Sequence, residues 1–190
     1  HVLRCFENDN ITHVDGSIDP VRDKGIIDTE LQLKDLETIE NRLAKTQKQA
    51  VVGGDKQAKR AVEILLQYKA VLEQGLSART VELEKEDRKL VADLNLLTDK
   101  PVLYVCNVDE KSAVTGNEHT RAVEAAIADE RAEMLIVAAA TEADIAELDE
   151  YEERQMFLEE IGLKESGVAR LIKAAYKLLD LQTFFTTGAD

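Results

Sequence analysis

Pro101-Val102-Leu103-Tyr104-Val105-Cys106 is an unbroken apolar run, and Asn107-Val108-Asp109-Glu110 follows it directly. A short apolar run bounded by turn-forming residues is typical of a buried strand in a parallel sheet. Such a strand would deliver an amide, Asn107, and then a carboxylate, Glu110, into the loop at its carboxyl end. Ligands of parallel α/β sheets bind at that edge, so this loop is the first candidate site.

A second loop is predicted beside the first. The segment after Gly116 predicts a helix over 117–130 and a strand over 134–140 that ends in Ala138-Ala139-Ala140. Strands joined through one helix run parallel, so the two carboxyl ends would meet at one edge. There the small alanines would let backbone amides approach a flat ring. Asn107 both donates and accepts, whereas the Glu110 carboxylate only accepts, and this pair is suited to reading a nucleobase edge.

The residues before this α/β pattern predict long helices. Asp19-Pro20 is a strong helix start, with a capping oxygen followed by proline at the first helical position. The helix is predicted to run to about Val51, where Gly53-Gly54-Asp55 ends it and caps a second helix over 55–74. Two long amphipathic helices with so short a turn predict an antiparallel, coiled-coil-like hairpin.

Further helices are predicted over 84–97, over 142–162 as short acidic pieces, and over 166–181. The last one carries an apolar stripe that is predicted to be its inner face: Val168, Leu171, Ile172, Ala175, Leu178 and Leu179.

The composition excludes several classes of protein. With 190 residues, 44% hydrophobic and 33% charged, the chain can bury a core. Its net charge of −14 disfavours chain-wide electrostatic binding to nucleic acid or to an anionic membrane, and no apolar stretch is long enough to span a membrane. The predicted hairpin tip differs, because it carries a local excess of cations. These are Lys45, Lys48, Lys56, Lys59 and Arg60.

Two cysteines and three histidines complete the inventory of reactive side chains. Cys5 and Cys106 lie inside apolar runs and are predicted to be buried and reduced, as in a cytosolic protein, with a redox-gated role as an alternative. The histidines have no metal-ligand spacing among themselves or with the cysteines.

Several blocks of sequence, in order along the chain, resemble the YchF subfamily of Obg-like P-loop nucleotide hydrolases. Together with the two candidate loops they cover essentially the whole chain. They are Arg4-Cys5-Phe6-Glu7-Asn8-Asp9, His13-Val14-Asp15-Gly16-Ser17-Ile18-Asp19-Pro20-Val21-Arg22-Asp23, Gly53-Gly54-Asp55-Lys56, Glu142-Ala143-Asp144-Ile145-Ala146-Glu147-Leu148, and Tyr176-Lys177-Leu178-Leu179-Asp180-Leu181-Gln182-Thr183-Phe184-Phe185-Thr186.

The resemblance implies an α/β fold: a partial parallel sheet of P-loop hydrolase type, interrupted by the helical hairpin. It assigns 1–19 and 98–182 to the nucleotide-binding domain, 20–97 to the helical insertion, and 183–190 to the connection toward a C-terminal TGS domain. It also implies a cytoplasmic hydrolase that prefers ATP to GTP, requires Mg²⁺ and associates with the ribosome through the large subunit or ribosomal RNA.

The resemblance assigns base-binding roles to residues of the two loops. The usual GTPase motif is Asn-Lys-x-Asp, and here Val108 replaces the lysine and Glu110 the aspartate. A longer acid held by the same turn would crowd the position where aspartate accepts hydrogen bonds from guanine, whereas Asn107 can meet adenine's donor and acceptor. Phe6 is expected to stack on the base, Val108 to flank it, and Ala138 to Ala140 to present amides.

The chemistry of phosphoryl transfer is expected to lie outside these residues. No G-x-x-x-x-G-K-[ST] sequence occurs in the chain. The resemblance places the phosphate loop and the Mg²⁺ ligands upstream of His1. We therefore expect no catalytic or metal-binding residue here, no tightly bound cofactor, and no activity from this segment alone. An alternative is a non-catalytic helical module that docks on the ribosome or another partner.

Overall fold

The computed structural model describes residues 1–8, 16–53 and 55–187, with only the backbone of Val52 and Gly53. Parts of three resembling blocks lie outside these ranges: Asp9 of the first, 13–15 of the second and Gly54 of the third. The chain divides into two compact units, one formed by His1–Asp23 with Pro101–Asp190 and the other by Lys24–Lys100. In chain order the elements are β1 (Val2–Arg4), α1 (Pro20–Gly53), α2 (Lys56–Glu73), α3 (Lys85–Val91), β2 (Val102–Asn107), α4 (Glu118–Ala126), β3 (Ala132–Val137), α5 (Ala139–Glu147), α6 (Tyr151–Glu160) and α7 (Gly167–Leu178).

The first unit contains a parallel sheet with the order β1-β2-β3. In its register Leu3 of β1 pairs with Cys106 of β2, which pairs with Ile136 of β3. The small parallel sheet with many helices around it confirms the α/β class. The apolar run that follows Pro101 forms the central strand.

Successive side chains along β2 point to opposite faces of this sheet. Tyr104, Cys106 and the following Val108 are buried in a core cluster that includes Val123 and Ile127 from the α4 side. The opposite face contacts α7, where Lys177 pairs with Glu133 of β3 at 2.5 Å. Asn107 alternates with Cys106 and Val108, so its side chain does not enter the α4-side core.

Two sequence predictions for the first unit were wrong. The strand predicted over 134–140 ends at Val137, and Ala139 already begins α5. Alanine is the best helix former and has no branched side chain to favour a strand, so it extends the helix backward. The second error concerns α7: Val168, Ile172 and Leu179 on its predicted inner face are each more than half exposed.

The second unit is built on α1 and α2. Asp19 caps α1 as predicted, with Oδ1 accepting from the amides of Val21 and Arg22 at 3.1 and 3.0 Å. Asp55 likewise caps α2 by accepting from the Gln57 amide at 2.8 Å. Gly25 lies inside α1, and α1 reaches Gly53, slightly beyond its predicted end.

Contacts between α1 and the α2 region join residues in opposite order along the two segments. Gln32 Nε2 donates to the Gly75 carbonyl oxygen at 3.0 Å, whereas Glu40, a later residue of α1, bonds Lys69, an earlier residue, at 2.6 Å. Between them lies an apolar core that includes Ile39, Leu43, Leu65, Tyr68 and Leu72.

The segment after α2 is fastened to α1 by a buried carboxylate. Asp35 accepts hydrogen bonds from the amides of Leu97 and Thr98 and from the Thr98 hydroxyl, each at 2.7 Å. The helix in this segment is also shorter than the one predicted over 84–97. It is α3 followed by a 3₁₀ turn over Ala92–Leu94, and Asn95 then turns in the left-handed region with φ 48°.

Candidate functional site

The ends of the three strands lie side by side, as the two-loop prediction requires. The amide of Cys5 donates to the Asn107 carbonyl at 2.8 Å, and the amide of Val108 donates to the Val137 carbonyl at 2.9 Å. These bonds carry the sheet pairing past the strand ends. The loops after β1, β2 and β3 therefore leave the sheet at one edge.

Asn107 bonds the second loop directly. Its side-chain Oδ1 accepts from the Ala139 amide at 3.0 Å, which joins the end of β2 to the start of α5. The Nδ2 group has no hydrogen-bond partner among the residues that the structure describes. A side-chain amide has an acceptor oxygen and a donor nitrogen. Asn107 can therefore hold the second loop with Oδ1 and offer Nδ2 as a donor to a ligand.

The three alanines differ in what they present. Ala138 is buried and stands at the N-cap of α5, while Ala139 and Ala140 are exposed in its first turn. The first amides of a helix have no partner within the helix. The Ala139 amide is already bonded to Asn107, so Ala140 is the one of the two exposed alanines whose amide remains for a ligand.

Glu110 starts a 3₁₀ turn, Glu110–Ser112, just beyond Asn107. Asp109 caps this turn, and its Oδ1 accepts from the Ser112 amide at 3.2 Å. Glu110 is exposed and lies on a groove of about 480 Å³ whose other walls include Val114 and Phe157. The capped turn sets the backbone position from which the Glu110 side chain extends.

Phe6 lies just after β1 beside a residue that sequence reasoning missed. The guanidinium carbon of Arg4 lies 5.1 Å from the centroid of the Phe6 ring, and Arg4 Nε donates to the Phe6 carbonyl at 3.2 Å. Arg4 is also the register partner of Asn107. One aromatic ring and one cation therefore stand together at the β1 end of the edge, an arrangement that the alternation of β1 could have suggested.

Val108 does not lie where the base-flanking role would need it. Its side chain is only 3% exposed and packs in the α4-side core. The cause is the alternation along β2, which turns Val108 to the opposite face from Asn107. In this structure the ring-flanking role expected of Val108 has no support from its side chain.

Two more residues that sequence reasoning missed brace the edge. Asn117 caps α4 through a reciprocal capping box with Thr120, and its Nδ2 donates to the Cys5 carbonyl at 2.7 Å. Glu142 of α5 accepts from the Gly167 amide at 2.5 Å, which ties α5 to the start of α7. A helix-cap pattern in the sequence marks Asn117, but these distant partners leave no local signature.

The two thiols are neighbours inside the core. Cys5 and Cys106 are both fully buried. A hydrogen bond with the Cys106 thiol, reinforced by burial, holds the pKa of Cys5 well above its usual value. The same hydrogen bond lowers the pKa of Cys106, but neither thiol is exposed. Neither is therefore an accessible nucleophile, which weighs against the redox-gated alternative.

The cationic hairpin tip has two kinds of residue. Lys45, Lys48, Lys56 and Lys59 are exposed and form no ion pair within the described residues. Arg60 is engaged: it bonds both oxygens of Asp87 at 2.6 and 3.1 Å and also Glu63 at 2.7 Å. These acids raise the pKa of Arg60 and neutralise its charge locally.

The described residues contain neither a metal-binding cluster nor a membrane-spanning helix. Across residues 1–8, 16–53 and 55–187, no three His, Cys, Asp or Glu side chains are grouped so that they could hold a metal ion. Within the same described ranges, no helix is both long and apolar enough to cross a membrane.

Comparison with known proteins gives this geometry its context. The chain is 49% identical over 190 residues to the ribosome-binding ATPase YchF of Bacillus subtilis, covering 99% of this chain and 51% of that protein. The corresponding protein of Escherichia coli O157:H7 is 45% identical over 188 residues, with the same coverage of each chain. This chain is a YchF/Obg-like homologue.

A rat relative extends the YchF/Obg-like group beyond bacteria. Obg-like ATPase 1 of Rattus norvegicus is 39% identical over 196 residues, covering 100% of this chain and 49% of that protein. The solved structure of the Schizosaccharomyces pombe YchF GTPase matches with a TM-score of 0.85 at 27% identity, covering 98% of this chain and 51% of that one. No family model matches the chain. The chain spans about half the length of the curated relatives it matches.

Proposed function

We propose that this chain supplies the base-recognition half of a ribosome-associated, cytoplasmic nucleotide hydrolase that prefers ATP to GTP. The observation that carries the proposal is the bond between Asn107 Oδ1 and the Ala139 amide, which joins the two predicted base-reading loops at one sheet edge. Relatives named ATPase and GTPase support the hydrolase class. The inserted antiparallel hairpin, 20–97 in our proposal, is supported by the opposite order of the contacts between α1 and the α2 region.

Three groups at this edge would contact the base: a side-chain amide, a backbone amide and an aromatic ring. Asn107 Nδ2 donates to the ring nitrogen that both purines present as an acceptor. The Ala140 amide adds a second donor from the first turn of α5. Phe6 offers its ring for stacking, alongside Arg4. None of these contacts separates adenine from guanine, so the choice of base falls to Glu110.

The length of the Glu110 side chain would select adenine over guanine. A carboxylate accepts from the two donors on guanine's pairing edge, and the capped turn at Asp109 fixes the backbone from which it extends. The additional methylene of glutamate brings its oxygens into the space that guanine would occupy. Selection against guanine then arises from crowding rather than from a new bond to adenine.

Hydrolysis itself is not assigned to residues of this chain, whose sequence contains no G-x-x-x-x-G-K-[ST] phosphate loop. Mg²⁺ would neutralise charge on the phosphates, but the described residues offer no cluster that fits the ion. We therefore assign no step of phosphoryl transfer to this chain and expect the 190 residues alone to be inactive.

An isosteric change at Asn107 tests the base site. In the full-length protein, Asn107→Asp keeps an oxygen for the Ala139 amide but replaces the Nδ2 donor with an acceptor. We expect both ATP and GTP to bind about tenfold or more weakly, the loss of roughly one hydrogen bond to a ligand, with thermal unfolding unchanged. Asn41→Asp, on an exposed part of α1, is the matched control. Unchanged affinity in Asn107→Asp would exclude this edge as the base site.

Glu110→Asp tests selectivity separately. Binding of GTP to the full-length protein should strengthen while binding of ATP changes little, so the ratio of the two dissociation constants moves toward GTP. Val108→Lys is unsuitable as a companion change because it would place a cation in the core. An unaltered ratio would show that another residue discriminates between the purines.

We also propose that the four lysines of the tip contact ribosomal RNA. Lys45, Lys48, Lys56 and Lys59 offer charge without aromatic side chains among them, which favours phosphate contact without base readout. Replacing three of them by glutamate should weaken ribosome co-sedimentation. The plot of log binding constant against log salt concentration should also become less steep, by about one unit of slope per lost phosphate contact.

Two controls sharpen the ribosome experiment. Lys34→Glu lies on the same helix away from the tip and should leave sedimentation unaltered. Arg60→Ala should also have little effect, because Asp87 and Glu63 already hold that guanidinium. Sedimentation that survives the triple reversal would show that the tip is only a turn.

A further inference from the structure

The chain bends at Phe6, just after β1, and each of the two peptide units beside this residue is held by a side chain. The carbonyl oxygen of Cys5, in the unit before the ring, accepts from Asn117 Nδ2 at 2.7 Å. The carbonyl oxygen of Phe6, in the unit after it, accepts from Arg4 Nε at 3.2 Å. Hydrogen bonds therefore fix the backbone on both sides of the aromatic residue.

Asn117 reaches this bend from the start of α4, where it also serves as the helix cap. Its Oδ1 accepts from the Thr120 amide at 3.1 Å, and capping requires only this oxygen. Its Nδ2 lies 3.4 Å from Ser112 Oγ, near the outer limit for a hydrogen bond, so the Cys5 carbonyl is its main acceptor. The bond to Cys5 is therefore a second use of the side chain, one that helix capping does not require.

Arg4 holds the same bend from β1. Its Nη2 donates to the Asn8 carbonyl oxygen at 3.2 Å, so one guanidinium bonds carbonyl groups at two points of the loop. The guanidinium carbon lies over the Phe6 ring, 5.1 Å from its centroid, within the range of a cation–π contact. One face of the ring is therefore occupied by Arg4, and a flat base would stack on the opposite face.

We propose that Asn117 and Arg4 are positioning residues that hold Phe6 in place to stack on a purine, an inference that rests on the base site proposed above. A loop already fixed in its bound conformation avoids the ordering cost that a mobile ring would incur on binding. Stacking uses the π face that every base has, so this contribution is shared by adenine and guanine. The role therefore differs from that of Glu110, which is proposed to set the choice between the two bases.

Asn117→Asp separates the two uses of this side chain. Aspartate caps a helix as well as asparagine does, but its carboxylate cannot donate to the Cys5 carbonyl. In the full-length protein we expect ATP and GTP each to bind about three- to tenfold more weakly, with the ratio of their dissociation constants unchanged. Inorganic tripolyphosphate, which has no base, should bind as before. Unchanged ATP affinity, or an equal loss for tripolyphosphate, would overturn the positioning role.

Thr120→Val is the control for general damage to α4. It removes the hydroxyl that accepts from the Asn117 backbone amide but leaves the bond from Asn117 Nδ2 to Cys5. We expect it to lower the thermal midpoint without changing the ATP affinity of the folded protein. A loss of affinity equal to that of Asn117→Asp would overturn the proposal, because it would show that the nucleotide responds to the cap and not to the Cys5 bond.

A double-mutant cycle shows whether the two residues act through the ring. Phe6→Leu should weaken ATP binding about tenfold, the loss of one base–aromatic stack. In that background Asn117→Asp should cost less than about twofold more, because there is no ring left to position. Arg4→Met, which retains the apolar stem but loses the guanidinium, should behave in the same way. Losses that multiply independently of Phe6 would overturn the proposal.

Failure of the base site itself would look different. In that case Asn107→Asp and Phe6→Leu would both bind ATP normally, and the positioning role would fall with the site. If those two variants lose affinity while Asn117→Asp and Arg4→Met do not, the base site stands and the positioning role alone is overturned.

Discussion

Asn107 shows how much one side chain contributes to the edge of this sheet. The sequence predicted that Asn107 and the alanine loop would be neighbours, because strands joined through a helix run parallel. It could not predict that Oδ1 would be used on the Ala139 amide, since that depends on where α5 begins. The remaining Nδ2 donor is a property of the folded edge and not of the motif.

Asp35 is the residue whose loss we expect to damage the helical unit most. Asp35→Ala leaves the Leu97 and Thr98 amides and the Thr98 hydroxyl without their acceptor, two of these three donors in buried positions. We expect the free energy of unfolding to fall by about 3 kcal/mol. Urea denaturation followed by circular dichroism measures it. Glu37→Ala, an exposed acid on the same helix, should not shift the midpoint. Equal midpoints for the two variants would contradict the structural role of Asp35.

At the scale of elements, helix ends followed from sequence better than strand ends did. Asp19-Pro20 and Asp55 begin α1 and α2 because a capping oxygen acts on amides two or three residues away, a local effect. The end of β3 was misplaced because an alanine run suits either structure. The buried side of α7 was misassigned since periodicity identifies an apolar stripe but not the element that covers it.

Two glycines should respond to alanine with opposite signs. Gly25 lies inside α1 with open space around it, so Gly25→Ala should stabilise the protein by about 0.5 to 1 kcal/mol. Gly116 has φ +67°, and an added Cβ would lie 2.3 Å from Thr120 Oγ1, the capping partner of Asn117. Gly116→Ala should therefore destabilise by about 2 to 4 kcal/mol. Thermal or urea unfolding measures both changes. Shifts of the same sign would contradict these backbone assignments.

At the scale of the whole molecule, the α/β class and the presence of long helices could be predicted from hydrophobic period and caps alone. The edge contacts of Asn117 and Glu142 could not, because each joins residues far apart in the chain. The buried Nε and Nη2 of Arg170 have no hydrogen-bond partner among the described residues, and this too could not be predicted, since the sequence does not show which charges end up buried together.

The buried thiols should report the opening of the sheet-containing unit. Neither Cys5 nor Cys106 should react with a thiol reagent under native conditions, and reaction should follow unfolding as denaturant is added. Rapid native labelling of either cysteine would contradict the buried pair.

The pairing of β1 with β2 also sets an order for synthesis. Leu3 meets its register partner Cys106 only after the intervening chain, including the whole of Lys24–Lys100, has been translated. At usual elongation speeds the first strand would wait roughly 5 to 20 s for the second. The helical unit can therefore emerge and fold before β1 is able to pair with β2.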